Sequence, residues 1–204
     1  LSDFWNNRYL NGHQQKYPWD IVVSFLLRAA KQKDVNVWDL KVLEVGFGTG
    51  ANLCFAAHEG FQVSGIEISQ AAVDIARDRF KREGIKGELL QGSFTQLPFE
   101  DSVFDIVIDR AALTCVNLDQ MNQAIREIAR VSKPQSRFLF NCYADTHSSA
   151  RSEKGTSQQA RKSIASGTLA GLENISFLSA NDITKIFQDE WLLESMTRLE
   201  ITEM

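Results

Sequence analysis

The stretch Lys41-Val-Leu-Glu-Val-Gly-Phe-Gly-Thr-Gly-Ala51 decides how the rest of the chain reads. Lys41-Val-Leu-Glu-Val45 is a short apolar run that stops at glycines, which predicts a buried strand. Ala51 to Glu59 reads as a helix ended by Gly60. A glycine loop between a strand and a helix allows a tight turn and lets the backbone approach a ligand closely.

Outward from this loop, strands and helical patterns alternate. Upstream, Trp19 to Lys31 places Val22, Phe25, Leu26, Ala29 and Ala30 on one helical face, with Pro18 where a helix can start. Downstream, Phe61 to Ile66 predicts a second strand. Ser69 is a plausible N-cap for a helix that closes near Gly84. Gly87 to Leu90 and Val103 to Ile108 predict strands three and four. Asn117 to Val131 predicts a helix with Met121, Ala124, Ile125 and Ile128 on one face, and Phe138 to Tyr143 a fifth strand. From Ala144 to Ser176 the pattern fades into Ser, Thr, Gly, Lys and Arg. Ser179-Ala-Asn-Asp182 then opens a last helix as a capping box, and Trp191 to Ile201 reads as a further strand. This alternation implies an α/β fold, with a mostly parallel sheet covered by helices on both faces.

The chain has 204 residues, a length that suits one domain. Lys plus Arg number 22 and Asp plus Glu 26, for a net charge of −4, which lacks the basic footprint of a nucleic-acid binder. Cys54, Cys115 and Cys142 are scattered, which argues against a disulfide framework. His13, His58 and His147 show no metal-ligand spacing, and no metal is expected. No apolar run approaches the ~20 residues that span a bilayer. The start, Leu1-Ser-Asp-Phe-Trp, has no signal-peptide pattern, so a cytoplasmic location is expected.

The loop satisfies G-x-G-x-x-G/A with Ala51 in the last place, so NAD binding is one reading of it. Glu67, about 20 residues past the loop, can accept hydrogen bonds from ribose hydroxyls in either an NAD or another adenosine site. The wider pattern resembles the class I S-adenosylmethionine-dependent methyltransferases. Glu44-x-Gly46-x-Gly48-x-Gly50 resembles their first motif. Gln91-Gly-Ser-Phe-Thr-Gln-Leu-Pro-Phe-Glu-Asp-Ser-Val-Phe-Asp-Ile-Val-Ile108 resembles the stretch that turns under adenine and enters strand four. Arg126-Glu-Ile-Ala-Arg-Val-Ser-Lys-Pro134 resembles the next motif. Two departures stand out: Ser93 replaces the usual Asp, and Gln135-Ser136 replaces a usual glycine pair. Asp109-Arg-Ala-Ala-Leu113, with Ser93-x-x-x-Leu97-Pro98 upstream, resembles thiopurine-type S-methyltransferases.

The resemblance implies a Rossmann-like, doubly wound fold and S-adenosylmethionine as cofactor. It places Glu44, Gly46, Phe47, Gly48, Gly50, Glu67 and Ile68 at the cofactor, with Ser93 and Phe94 near adenine; Asp109, leaving strand four at the sheet's carboxyl edge, is a candidate to contact the methionine moiety or the acceptor. Tyr9, Tyr17, Trp19, Arg110, Tyr143 and His147 are the candidates for the acceptor pocket. No catalytic side chain is assigned, because methyl transfer depends mainly on alignment. The expected layout is one methyltransferase domain over 1–204. Its parts are a helical cap at 1–34, a cofactor core at 38–143, a lid or substrate insertion at 144–180, and a last helix and strand at 181–204. The expected function is methylation of a small-molecule acceptor, with no nucleic-acid or membrane partner. The alternatives are an NAD-dependent oxidoreductase and a non-catalytic S-adenosylmethionine-binding module.

Overall fold

A five-stranded parallel sheet organises the part of the chain that carries the glycine loop. The computed structural model describes residues 2–33, 35–152 and 163–199. It divides them into two units, one from 1–113 with 127–141 and the other from 114–126 with 142–204.

In the first unit, β1 (Lys41–Val45), β2 (Gln62–Glu67), β3 (Glu88–Gln91), β4 (Phe104–Arg110) and β5 (Ser132–Asn141) lie in the order β3-β2-β1-β4-β5. The order runs outward from β1 in one direction and then reverses through β4. That makes the sheet doubly wound, with its switch point between β1 and β4. Val42, Leu43, Val45, Ile106, Val107 and Ile108 are fully buried, as continuous apolar central strands require. Helices α2 (Asp20–Gln32), α3 (Ala51–His58) and α4 (Gln70–Glu83) pack against the strands, and α1 (Ser2–Leu10) packs on α4. Val22, Leu26 and Ala29 are the buried face of α2. The Ser69 hydroxyl caps α4 by accepting from Ala72 N–H, and Gly84 closes it in the left-handed conformation. This is the Rossmann-like α/β architecture the sequence implies.

The fifth strand starts earlier than its apolar run. Ser132 pairs with Phe104, and the register then shifts so that Arg137 pairs with Ile106. Pro134 has no N–H to give the ladder, and Gln135 sits at φ +61°. The chain therefore bulges between the two pairings and resumes as the strand through Asn141. Tyr143 belongs to a separate element. In the second unit, β6 (Tyr143–Ala144) pairs in parallel with β7 (Phe177–Leu178). There α5 (Ala180–Phe187) opens with the expected capping box, Ser179 and Asp182 exchanging hydrogen bonds.

Two further expectations differ. Residues 191–199 form no strand, and Leu192 and Leu199 are 89% and 79% exposed. An alternating pattern makes a strand only where a partner supplies the ladder, and the described part of either sheet offers none here. Ile201 lies outside the described residues, as do residues 153–162 of the expected lid. The described remainder of that segment holds a 3-10 turn at Ser148–Ser152.

Gln135 holds a left-handed conformation that costs an L-residue about 1–2 kcal/mol. Gln135→Gly should therefore raise the unfolding free energy by about 0.5–1 kcal/mol after the extra chain entropy of glycine is subtracted. Urea denaturation of the two proteins checks this; a loss of stability would contradict it.

Candidate active site

The site is built at the carboxyl edge of β1, β2 and β4. Gly46 leaves β1 at φ +68°, and a Cβ there would run into the Ala112 methyl group. Gly48 follows at φ +54°, with the Tyr9 hydroxyl 2.9 Å from where its Cβ would be. Gly50 is the N-cap residue of α3. Phe47 turns inward; its ring is buried in the core against Gly65. What Phe47 presents to the loop is its backbone, and its carbonyl accepts from Gly50 N–H.

Glu67, at the end of β2, is the fastener of this turn. Its Oε2 accepts from Gly48 N–H at 3.0 Å and its Oε1 from Ser69 N–H at 2.9 Å. Glu44, at the end of β1, has a different partner. Its Oε1 accepts from Asn52 Nδ2 at 2.6 Å, and Asn52 Oδ1 accepts from Trp19 N–H at 3.0 Å. Asp109 ends β4 beside Val45. Its Oδ1 accepts from the N–H groups of Ala112 and Leu113, both at 2.9 Å, which turns the chain sharply after Ala111 at φ +60°.

These carboxylates are all buried, and burial raises the pKa of each. Desolvation pushes Glu44 up to about 8, partly offset by the Asn52 hydrogen bond and reinforced by Asp109 and Glu67. Desolvation pushes Asp109 up to about 7 against its two backbone hydrogen bonds. Glu67 is raised for the same reason, against the bonds from Ser69 and Gly48. Glu44 Oε2 and Asp109 Oδ2 are buried with no hydrogen-bond partner among the described residues. Buried acceptors of this kind are costly unless a donor or cation meets them. A ligand with an ammonium or sulfonium group fits that need.

The N-terminal segment covers the same edge through groups that the sequence did not single out. Asn6 Oδ1 accepts from Ser69 Oγ and Ala71 N–H at the start of α4. The Gln15 carbonyl accepts from Thr49 Oγ1 at 3.0 Å and Arg79 Nη2 at 2.7 Å. Tyr9 packs with Trp5 and His13 in an aromatic group. The Arg110 guanidinium lies over the Trp19 ring at 3.8 Å, a cation–π contact. Tyr17 is 66% exposed and lies against Lys16. The structure thus brings Tyr9, Trp19 and Arg110 together with the glycine loop and its carboxylates. A buried polar residue, Asn52, in the otherwise apolar start of α3 was the signal available in the sequence.

On the following loop, Ser93 Oγ bonds Thr95 Oγ1 at 2.7 Å and accepts from Thr95 N–H, so it shapes a turn. Phe94 and Ile68 are half-buried. Glu127 and Arg130 hold this loop from behind: Glu127 accepts from Leu97 N–H, and Arg130 donates to the Leu97 and Phe99 carbonyls. Tyr143 and His147 belong to the second unit, where both pack with Phe177. His147 Nδ1 accepts from Ser149 N–H, so the neutral ring carries its proton on Nε2.

Known proteins share this pattern. A family model described as a methyltransferase domain matches residues 42–135. A demethylmenaquinone methyltransferase of Tropheryma whipplei is 38% identical over 127 residues, 59% of this chain and 51% of that protein. The chain thus spans about half the length of that relative. An uncharacterized methyltransferase of Bacillus subtilis, YdaC, is 29% identical over 78% of this chain and 91% of its own length. A solved S-adenosylmethionine-dependent methyltransferase from Methanosarcina mazei shares the fold, with a TM-score of 0.60 and 21% identity over 78% of this chain and 82% of its own. Residues 42–135 thus match the methyltransferase-domain family, and the relatives that extend beyond this stretch are methyltransferases too.

Folded-state pKa values of about 8 for Glu44 and 7 for Asp109 lie above the ordinary values of 4.5 and 3.8. Through that window the folded chain keeps protons that the unfolded chain releases, so stability without ligand falls as pH rises. Glu44→Gln should flatten this slope and give a higher Tm than the parent at pH ~8. Thermal melts across pH 5 to 8 measure it, and parallel slopes in the two proteins would refute the assignment.

Proposed function

We propose that the chain transfers a methyl group from S-adenosylmethionine to a small-molecule acceptor. The observation that carries this reading is the set of buried carboxylates around the glycine loop, with Glu44 Oε2 and Asp109 Oδ2 still unpartnered. S-adenosylmethionine bears a sulfonium and an ammonium and no pyrophosphate. A negative, backbone-lined cleft suits those charges, whereas a dinucleotide would bring its phosphates to the same carboxylates. The methyltransferase names of the compared proteins favour the same choice over nicotinamide chemistry.

In this reading Glu67 keeps lone pairs free on both oxygens while holding Gly48 and Ser69, and these face the ribose hydroxyls. Gly46, Gly48 and Gly50 let the backbone approach. The Ser93-to-Leu97 turn, braced by Glu127 and Arg130, supports the adenine end. When bound, S-adenosylmethionine would supply a methyl carbon on a good leaving group for in-line transfer to the acceptor. The protein contributes alignment and exclusion of water. The segment from Asn6 to Trp19 serves the second purpose through its bonds to α4, Thr49 and Asn52. The Arg110–Trp19 pair forms one wall for the acceptor. The Tropheryma whipplei relative is named for a quinone-type acceptor, which supports a small molecule as the class.

Calorimetry is expected to show S-adenosylhomocysteine binding and no NAD binding at equal concentration; the reverse would sink the reading. Glu67→Ala should weaken S-adenosylhomocysteine by about 10²-fold or more, because charge-assisted hydrogen bonds contribute roughly 1.5–3 kcal/mol each. An unchanged affinity in the folded variant would remove Glu67 from the site.

A further inference from the structure

We propose that Cys54, His58 and Glu83 form a binding site for a divalent cation of the zinc class, bridging α3 and α4 and drawing no ligand from the carboxylates around the glycine loop. The ligand atoms of the three side chains all lie within 4.8 Å of one another. Cys54 and His58 are four residues apart on α3, so they project from the same face of one helix. Glu83 arrives from the last residue of α4.

The three groups converge on one point. Cys54 Sγ donates to Glu83 Oε2 at 2.9 Å, and His58 Nε2 meets the same oxygen at 2.8 Å. A metal ion takes the place of the protons shared at that oxygen. Zinc bonds of about 2.0–2.3 Å to sulfur, nitrogen and oxygen put tetrahedral ligands roughly 3.3–3.6 Å apart. The Cys54–Glu83 and His58–Glu83 spacings of 2.9 and 2.8 Å reach that range by opening less than about 1 Å. Cys54 is fixed in the core, while His58 and Glu83 have side chains half in solvent and free to adjust. Their exposure leaves the fourth position to water.

Charge and donor type select the cation. The thiol loses its proton on binding, Glu83 is already ionised, and neutral His58 binds through Nε2 with its proton moved to Nδ1. The set then carries −2 and the ion +2. A thiolate with an imidazole favours zinc or cobalt over the oxygen-seeking magnesium and calcium. The nearby Arg79 guanidinium keeps its charge while bonded to the Gln15 carbonyl, and the two anionic ligands outweigh it. Without metal the Cys54 thiol donates its proton to a hydrogen bond with Glu83, and binding of the ion releases that proton. The histidine spacing alone shows nothing, because the ligands are of three types on two helices.

Cobalt titration of the whole chain is the test. One equivalent of Co²⁺ should produce a thiolate-to-cobalt charge-transfer band that one equivalent of Zn²⁺ abolishes. Zn²⁺ should raise Tm by several degrees, and Mg²⁺ should not. Cys54→Ser and His58→Gln should each weaken Co²⁺ binding at least tenfold while S-adenosylhomocysteine binding is kept. The absence of a thiolate band in the unmodified chain overturns the proposal whatever the variants do. A band that persists at equal affinity in either variant places the metal elsewhere and overturns it too.

Discussion

Glu67 holds the turn on which the rest of the site depends. Its carboxylate receives the N–H of Gly48 from the loop after β1 and the N–H of Ser69 from the start of α4. Two pieces of backbone are thereby fixed to the end of β2. The parallel pairing of β1 with β2 brings the loop and this carboxylate to the same edge. The constraint also explains the glycines. A side chain at Gly46 would displace Ala112, and one at Gly48 would meet Tyr9. The loop is thus closed from both the Asp109 turn and the N-terminal segment.

Around this fastener the protein concentrates carboxyl groups where water is excluded. Glu44, Glu67 and Asp109 end three adjacent strands, and their burial raises all three pKa values. Such a cluster costs stability on its own, and a cationic ligand offsets that cost. The division of labour among the carboxylates follows from their partners. Glu67 shapes the loop, Glu44 anchors α3 and the N-terminal segment through Asn52, and Asp109 turns the chain out of β4. Asn6 and Gln15 extend the same logic by supplying acceptors to a helix start and to the loop hydroxyl.

Family likeness shows where local chemistry is free to vary. The usual glycine pair before strand five is Gln135-Ser136 here, and the backbone still takes the left-handed turn at Gln135. Lys33 Nζ donates to the Gln135 carbonyl at 3.1 Å, which helps hold that turn. The usual Asp after strand three is Ser93, which bonds Thr95 and shapes its own loop. In both places the backbone path is retained with different side chains.

Much of the architecture was legible in the residues. Runs such as Lys41–Val45 and the period of Asn117 to Val131 are local patterns, and burial of an apolar face is enough to settle them. The glycine loop was legible for the same reason, since few uses other than a close backbone approach require such spacing. Tertiary structure alone decided what depends on partners distant in sequence. The strand pattern at 191–199 forms no strand among the described residues, and strand five begins six residues before its apolar run. The sequence does not show the protein partners of Glu44 and Glu67, and the packed strands and helices give one to Asn52 and the other to Gly48. Cys54, His58 and Glu83 meet only because α3 and α4 pack side by side. A hydrogen bond or ligand set needs atoms within a few ångströms, and sequence spacing specifies that only inside one helix or turn.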